Sequence, residues 1–398
     1  MSRELVEGRV KFEHGMLLAT ILLMGIGLVM VYSATAYLMV TPEMLKKTGG
    51  NSMYYLERQF MFVALGLLTL AAATFMPFRW IEKLAWPALF GSFGAMILVL
   101  IFGKEHLGAV RWFQFGSIWV QPGELVKLAF VVWVSHSLAF KEYRILEFRL
   151  GVLPHLLVAM MLVGLYLAQP DLGSCIILLA VLMALLFIAG VPWKHIGVLG
   201  LAGGLMAATV LALDPEKLGR VWAWLDPEQF ADGDGYQLVN SKISIASGGM
   251  FGSGLGGGQQ NIAGYVPEAE TDFIFSVIGE ELGMIGCLVV LALFGYVLWR
   301  GLKLAGELKN RFARHMVFGA TLLVVLQAAI NIGVATGTLP TKGLTLPFVS
   351  LGGSSMVVMA ACVGVLLNAS RTFPRMEPAG KAHAVEAGSV QVFVKESA

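Results

Sequence analysis

Ten long runs of apolar residues constrain this chain more than any other feature. Each run is close to the ~20 residues that an α-helix needs to cross a bilayer. Lipid cannot hydrogen-bond exposed backbone groups, and the runs lack the alternation of barrel strands, so helices are the expected form. The sequence therefore predicts an all-α integral membrane protein with about ten transmembrane helices, near 15–37, 58–76, 82–102, 122–140, 151–168, 171–190, 194–213, 273–299, 315–337 and 348–370.

Charged residues make up 14% of the 398-residue chain and gather between the runs, whereas soluble domains carry about 25%. The formal net charge is only +2 and no basic stripe stands out, so nucleic acid is not an expected partner. Cys175, Cys287 and Cys362 each lie inside an apolar run without a CxxC partner. We interpret them as packing residues and not as disulfide or zinc ligands.

Basic residues in the loops set the expected orientation. The first run is too long for a signal peptide, and residues 1–14 carry as many acidic as basic side chains, so it is interpreted as a membrane helix. With the N-terminus inside, the inner segments hold 18 Lys and Arg and the outer segments 9. The predicted organisation is a cytoplasmic N-terminus (1–14), a membrane domain (15–370) and a disordered cytoplasmic tail (371–398).

The largest outer loop, 214–272, joins the seventh and eighth runs and contains a glycine-rich segment, 247–258. Gly252–Gly257 matches G-x-G-x-x-G, but no strand precedes it and no G-K-[ST] follows, so dinucleotide and P-loop functions are rejected. Two interpretations stay open: a flexible loop, or a backbone that a bulky ligand can approach closely. Trp222 and Trp224, earlier in the loop, suit a helix at the membrane interface.

Asp272 ends this loop and immediately precedes the eighth apolar run. It is therefore expected at the outer membrane surface, at a helix N-terminus. One interpretation is a helix cap, for which Asp is a preferred residue. The other is a carboxylate that faces a lipid-linked substrate, kept ionised by the helix dipole and ready to accept a proton.

Several other charged residues lie in or beside the runs. Glu124 and Lys127 are three apart in the fourth run, so they share a helical face and are predicted to form a structural ion pair. Glu280 and Glu281 lie within the eighth run, either as a relay or as structural partners. Outside the runs, Arg111 and Lys342 are cations on the same side as Asp272, suited to a pyrophosphate or to lipid head groups.

Long segments of the chain resemble the SEDS family of RodA and FtsW proteins. Two of them are Pro267–Gly283 (PEAETDFIFSVIGEELG) and Leu339–Ser355 (LPTKGLTLPFVSLGGSS). The resemblance runs from the first apolar run to Ser370, and 341–347 (TKGLTLP) is closer to the division branch, FtsW. Leu351 departs from the Tyr that is frequent in the family. Shorter matches are Arg111–Trp112, Gln121–Lys127, Gln169–Gly173, Gly235–Gln237 and Ile243–Gly258.

The resemblance implies a glycosyltransferase that polymerises lipid II at the outer face of the bacterial inner membrane during septal cell-wall synthesis. The family's catalytic Asp falls on Asp272. The matching segments also propose substrate-binding residues, namely Arg111, Lys342, Glu268, Gln169, Asp171, Ser354 and Ser355. The implied partners are a class b penicillin-binding protein, which supplies the transpeptidase, other divisome proteins and membrane lipids.

An α-linked donor that gives a β-1,4 product implies inversion in one displacement, with Asp272 as general base. Arg111, Lys342 or a divalent cation (Mg²⁺ or Mn²⁺) held by Asp272 and Glu268 would neutralise the pyrophosphate. Two alternatives belong to other classes: a transporter that flips lipid II, and a non-catalytic scaffold for division enzymes. No inverted repeat is evident, and the acidic site is expected at the surface, whereas transporter sites lie near the midplane.

Overall fold

All ten apolar runs fold into helices in the computed structural model, which describes residues 5–7, 11–36, 51, 53–106, 108–116, 118–140, 145–212, 214–259, 265–374 and 376–378. The predicted helical membrane fold is thereby confirmed. The helices are α1 His14–Thr35, α2 Tyr54–Phe75, the short α3 Phe78–Lys83, α4 Ala85–Phe102, α5 Pro122–Phe140, α6 Leu153–Ala168 with a π-helical turn before it (Phe148–Val152), α7 Leu172–Ile188, α8 Trp193–Ala212, α9 Pro215–Leu225, α10 Tyr236–Ser247, α11 Ile274–Glu307, α12 Arg311–Ala335 and α13 Gly353–Thr372.

Eight helices in the described part of the chain are long and apolar enough to cross a membrane: α1, α2, α4, α5, α6 with its π-helical turn, α11, α12 and α13. Helix α7 is apolar but has only 17 residues, and α8 has 20. Many large apolar side chains point outward from these helices, including Phe60, Leu68, Phe90 and Ile101. Such an exposed apolar surface is what a lipid-facing bundle requires.

Helix α13 packs along α2, and α11 packs along both α12 and α1, so these five helices share one core. At the N-terminal end of α1, the guanidinium of Arg300 donates to both carboxylate oxygens of Glu13. Glu13 is buried, so this pair clamps α1 to α11.

Several element boundaries differ from the prediction, most of all near the C-terminus. The last span begins at Gly353 and not near 348, because Phe348, with φ of 67°, belongs to a turn that folds back over the outer end of the bundle. The same helix continues to Thr372. Beyond it, strand β5 (Met376–Pro378) pairs antiparallel with β1 (Leu5–Glu7), so the predicted disordered tail does not begin at 371; its remainder, 379–398, lies outside the described residues.

An outer loop also folds into a three-stranded antiparallel sheet that the sequence did not predict. It contains β2 (Lys104–His106), β3 (Ala109–Phe115) and β4 (Ile118–Val120). Gly108 and Gly116, with φ of 73° and 61°, supply the left-handed conformations at its two tight turns. The sheet carries Arg111 on its central strand, in the loop between α4 and α5.

Candidate active site

Asp272 lies where a tight turn leads into α11. The carbonyl of Glu268, whose φ is 54°, accepts hydrogen bonds from the backbone N–H groups of Thr271 and Asp272 at 3.1 and 3.0 Å. Helix α11 begins at Ile274, and Phe273 precedes it as the N-cap residue without a side-chain cap hydrogen bond. Asp272 therefore stands one residue before the cap position, and the interpretation of its carboxylate as a helix cap is wrong.

Two polar side chains that the sequence analysis did not identify hold the Asp272 turn in place. Asn331 on α12 donates its Nδ2 group to the carbonyls of Asp272 (2.8 Å) and Leu344 (2.6 Å). Ser350 donates to the carbonyl of Thr271, and its own Oγ accepts from the N–H of Leu346. These bonds hold the 336–352 loop against the Asp272 turn. A buried amide within an apolar run, such as Asn331, is the sequence signal that could have identified this contact.

The Asp272 carboxyl is enclosed by protein, although the residue as a whole keeps partial access to solvent. A Cβ atom at Gly343 would lie 3.0 Å from Asp272 Oδ2, so this glycine keeps the space beside the carboxylate open. Burial raises the pKa of Asp272 to about 7, and the negative charges of Glu268 and Glu270 act in the same direction, while Arg111 opposes them. These effects outweigh the helix dipole, which was expected to keep the carboxylate ionised.

Glu270 is a second acidic residue of this turn that the sequence analysis left without a role. It is buried, and burial together with the charge of Glu268 raises its pKa to about 7. Its carbonyl accepts the N–H of Leu351 at 2.8 Å, which joins the turn to the start of α13. Two carboxyl groups with raised pKa at one cleft indicate a functional site more than a structural one.

Arg111 reaches from the outer sheet to the corner between α6 and α7. Its Nε and Nη2 atoms donate to the carbonyls of Gln169 and Pro170, each at 2.6 Å. Gln169 itself is buried, with its side chain directed toward Met96. Asp171 caps α7 by accepting from the N–H and Oγ of Ser174 at 3.0 and 2.8 Å. The charge of Arg111 lowers the pKa of Asp272 and that of Asp171 raises it, so this corner lies within electrostatic range of the Asp272 carboxyl.

Lys342 lies in the 336–352 loop beside Gly343. Burial lowers the pKa of Lys342, and the charges of Arg220 and Lys217 on α9 lower it further, whereas Asp171 raises it. Four of the predicted residues thus interact electrostatically around Asp272, namely Asp272 itself, Glu268, Arg111 and Asp171, and Lys342 joins them through the charge of Asp171 and through Gly343, its neighbour beside the Asp272 carboxyl. Gln169 takes part through its carbonyl.

Ser354 and Ser355 are engaged in contacts between helices. Ser354 Oγ accepts from the N–H of Gln121 at 2.9 Å, and Ser355 Oγ accepts from Gln327 Nε2 at 2.9 Å. Gln327 also accepts from Lys127 Nζ at 2.7 Å, and Lys127 forms an ion pair with Glu124 Oε1 at 2.7 Å. Lys127 and Glu124 are both buried, so the two serines border a polar network inside the bundle.

The glycine-rich segment packs its backbone directly on α11. Ser253 and Gly254 donate their N–H groups to the carbonyls of Glu280 and Glu281 at 2.9 and 3.0 Å. A Cβ at Gly252 would lie 2.1 Å from the carbonyl oxygen of Glu281, so only glycine permits this approach. The close neighbour at Gly252 is therefore a helix of the same chain, and the segment is packed on it and not a loose loop. Gly254 and Gly256 face open space, so the approach of a ligand at these positions stays a prediction.

Glu280 and Glu281 lie at a break in α11, where Gly283 has φ of 65° and ψ of −164°. Ser33 on α1 donates to both oxygens of Glu281, at 2.8 and 2.6 Å, and Ser33 Oγ accepts from the N–H of Gly256. Glu281 thus ties α1, α11 and the glycine-rich segment together. The sequence left two roles open for Glu281, a relay and a structural partner. This contact favours the structural role.

Asp272 and Glu268 are also the residues that the sequence put forward for a divalent cation. Within the described ranges, no group of three or more His, Cys, Asp or Glu side chains forms a metal-ligand cluster. Mg²⁺ commonly binds one or two carboxylates together with substrate phosphates. The two acidic residues therefore fit such an ion in combination with a pyrophosphate substrate.

Comparison with known proteins gives consistent matches over nearly the whole chain. Residues 14–373 match the FtsW, RodA and SpoVE family model, described as cell cycle protein. The Trichlorobacter lovleyi protein named probable peptidoglycan glycosyltransferase FtsW is 38% identical over 362 residues, covering 90% of this chain and 93% of that protein.

Two solved structures share the fold. One comes from work on the structural coordination of polymerization and crosslinking by a peptidoglycan synthase complex; it has a TM-score of 0.75 and 29% identity, over 91% of this chain and 98% of the other. The other is the rod shape determining protein RodA of Thermus thermophilus, with a TM-score of 0.64 and 28% identity, over 91% and 97% of the two chains.

Proposed function

Because the chain belongs to the FtsW, RodA and SpoVE family, we infer that it is a peptidoglycan glycosyltransferase that polymerises lipid II into β-1,4-linked glycan strands. The observation that carries the mechanism is the Asp272 carboxyl, whose pKa is raised to about 7, with space beside it at Gly343 and with the charge of Arg111 acting on it. A general base works best when its pKa lies near the operating pH.

The reaction follows from this arrangement. The 4-hydroxyl of one lipid-linked disaccharide attacks the anomeric carbon of another, the bond to the pyrophosphate breaks, and Asp272 accepts the hydroxyl proton. One displacement inverts the α-linked donor to a β product and needs no covalent enzyme intermediate. Arg111 stabilises the corner formed by Gln169 and Pro170 and contributes positive charge near the leaving group, as Lys342 does from the opposite loop. An Mg²⁺ or Mn²⁺ ion held by Asp272 and Glu268 would be an alternative source of charge neutralisation. Such a cation would lower the pKa of Asp272, so Asp272 would then be a ligand and not the base.

The test is reconstitution of the purified protein with its partner and lipid II. We expect glycan strands that electrophoresis resolves as a ladder. If lipid II instead crosses the bilayer of proteoliposomes without forming polymer, the protein is a transporter and this assignment fails.

The proposed partner is a class b penicillin-binding protein transpeptidase, in a divisome at the septum. The solved relative belongs to a peptidoglycan synthase complex that coordinates polymerization and crosslinking, which supports a partner of this kind. A transpeptidase acts on the strands that a polymerase releases, so the two activities fit on one side of the membrane.

The proposed location is the inner membrane, with both termini in the cytoplasm and the Asp272 cleft outside. Pairing of β1 with β5 supports termini on one side, and the 18-to-9 distribution of Lys and Arg supports the cytoplasm as that side. A reporter enzyme that works only in the cytoplasm is expected to be active when fused after Arg314. A reporter that works only outside the cytoplasm is expected to be active when inserted near Asp232. A cytoplasmic signal from the Asp232 insertion would invert this orientation and separate Asp272 from its substrate.

The raised pKa of Asp272 predicts how polymerisation depends on pH. The base must be ionised, so the rate is expected to rise about tenfold per pH unit below pH 7 and to level off above it. Glu268→Gln removes the neighbouring charge that raises the pKa of Asp272 most, so the inflection should move to lower pH. Initial rates at lipid II concentrations well below KM, measured between pH 5 and 9, report kcat/KM and therefore the pKa of the free protein. An unchanged inflection in Glu268→Gln would show that another group titrates.

A further inference from the structure

The glycine-rich segment (247–258) presents large apolar side chains to its surroundings. Phe251 is 81% exposed, Met250 is 61% exposed and Leu255 is 59% exposed. The segment contains no charged residue, although it belongs to the large outer loop. A cluster of exposed apolar side chains of this kind marks contact with a membrane or with another protein.

The glycines of this segment determine which way these side chains point. Gly248 and Gly252 lie against the backbone of α11, where a Cβ atom would collide with the carbonyl oxygens of Gly279 and Glu281. Because these glycines face the helix, the large apolar side chains between and after them are turned away from the protein.

Two side-chain contacts between α1 and α11 show where the membrane boundary lies. Arg300 donates to Glu13 at one end of α1, and Ser33 donates to Glu281 at the other. Twenty residues separate Glu13 from Ser33 and nineteen separate Glu281 from Arg300, which is ~30 Å of helix in each case at a rise of ~1.5 Å per residue. The hydrocarbon core of a bilayer is also ~30 Å thick, so Ser33 and Glu281 mark its boundary on the Asp272 side.

The exposure of the two helices agrees with this boundary. All of the first eight residues of α11, Ile274–Glu281, are buried within the protein. The exposed large apolar side chains of α11 begin at Met284, and those of α1 end at Tyr32. Tyrosine is a residue typical of the interface between membrane and water. The lipid-facing surface of both helices therefore ends at the level of Ser33 and Glu281.

The glycine-rich segment lies at this same level. The N–H of Ile285 donates to the carbonyl of Met250 at 3.3 Å, and the N–H of Gly256 donates to Ser33 Oγ at 3.1 Å. Ile285 is itself one of the exposed apolar residues of α11. The exposed side chains of the segment thus continue the lipid-facing surface of the bundle.

We propose that Met250, Phe251 and Leu255 insert among the lipid acyl chains of the leaflet on the Asp272 side, so that the glycine-rich segment anchors the large outer loop in the membrane. Lipid is the occupant of this surface because the surface is uncharged, lies at the hydrocarbon boundary and adjoins the lipid-facing part of α11. The contact does not depend on the reaction proposed for Asp272.

The anchor has a consequence for the height of the candidate active site. The two helical turns Ile274–Glu281 stand between the boundary and the Asp272 turn, and they raise Asp272 by up to about 10 Å. This height corresponds to the outer limit of the lipid head groups. The anchor therefore holds the Asp272 carboxyl where the first groups beyond the head of a membrane lipid are located.

The test measures the depth of fluorescent labels on the full-length protein in nanodiscs, with the variants Phe251→Cys, Leu288→Cys and Asp232→Cys. Leu288 is an exposed apolar residue of α11 and serves as the lipid-facing control, and Asp232 is an exposed residue of the outer loop and serves as the aqueous control. The three native cysteines are buried, and labelled wild type gives the background. Bromine atoms on the acyl chains should quench the label at Phe251 as strongly as that at Leu288, and the quenching by iodide seen at Asp232 should be lost.

Met250→Cys and Leu255→Cys repeat the measurement, and each variant is checked for the wild-type melting temperature. Quenching of the Phe251 label by iodide, as at Asp232, would overturn the anchor. If the purified transpeptidase partner then removed that iodide quenching, the surface would be a protein-docking site, and the lipid contact would be wrong. Protection from both quenchers would place the side chain inside the protein and overturn the anchor as well. Failure of the same preparation to polymerise lipid II would end the proposed function and leave the anchor standing.

Discussion

The Asp272→Asn protein is expected to polymerise lipid II about 10²–10⁴-fold more slowly than the wild type, or worse, because general base catalysis usually contributes that much. Asparagine keeps the size of the side chain but cannot accept the proton of the attacking hydroxyl. The bonds that hold this position come from the backbone: the Asp272 carbonyl accepts from Asn331, and its N–H donates to Glu268. The substitution therefore removes the carboxylate and leaves the turn intact.

The matched control is Asp232→Asn, an exposed aspartate of the same outer loop. It should polymerise at the wild-type rate, and both variants should reach the membrane, unfold at the wild-type temperature and bind the partner. Initial rates of glycan formation, measured with purified lipid II, decide the matter. An Asp272→Asn protein with a near wild-type rate would end the general-base assignment, and the cap could not then be invoked in its place, because α11 begins at Ile274.

The helices of this protein could be predicted from sequence because a bilayer imposes their length. Each of the ten runs falls on a helix, with boundaries that differ by a few residues where the chain bends back, as at Phe348. The outer sheet could not be predicted in the same way. Its strands are three to seven residues long and are set by the turns at Gly108 and Gly116, so no apolar periodicity marks them.

The candidate site was predictable in its charges but not in its geometry. Asp272, Arg111 and Lys342 stand out because most charged residues lie between the apolar runs and few lie near their ends. Glu270 is buried and its carbonyl accepts the N–H of Leu351, and Asn331 donates to the carbonyl of Leu344. Both contacts exist only once the 336–352 loop has folded over the turn. The raised pKa of Asp272 likewise results from burial of its carboxyl group in the folded protein, which the order of residues in the sequence does not show.

The glycine-rich segment shows a related limit of sequence reasoning. Glycines permit close approach, but a sequence does not say what approaches. Here the neighbour is the backbone of α11 at Glu280 and Glu281, where the helix is itself interrupted at Gly283. Close packing of the segment on α11 leaves no room for a Cβ at Gly248, which would lie 2.0 Å from the carbonyl oxygen of Gly279.

Lys127→Ala is expected to lower the stability of the protein by roughly 3–5 kcal/mol, since removal of one partner leaves a buried charge unpaired. Lys127 is fully enclosed, and its Nζ contacts Glu124 Oε1 and Gln327 Oε1, both at 2.7 Å. The variant should accumulate poorly in membranes and unfold at a lower temperature in detergent. Lys83→Ala, at an exposed position of α3, is the control that should behave as the wild type.

The double variant Lys127→Met/Glu124→Gln separates a structural pair from a catalytic one. It removes both charges while keeping most of the volume, so it should recover much of the stability lost in Lys127→Ala. If the pair is structural, polymerisation per folded molecule should also recover. Gln327 joins Lys127 to Thr345 and Ser355, and Asn331, one turn further along α12, holds the Asp272 carbonyl, so a path from the pair to the site exists. Normal accumulation of Lys127→Ala with abolished polymerisation would mean that Lys127 acts along this path, and it would then belong to the active site.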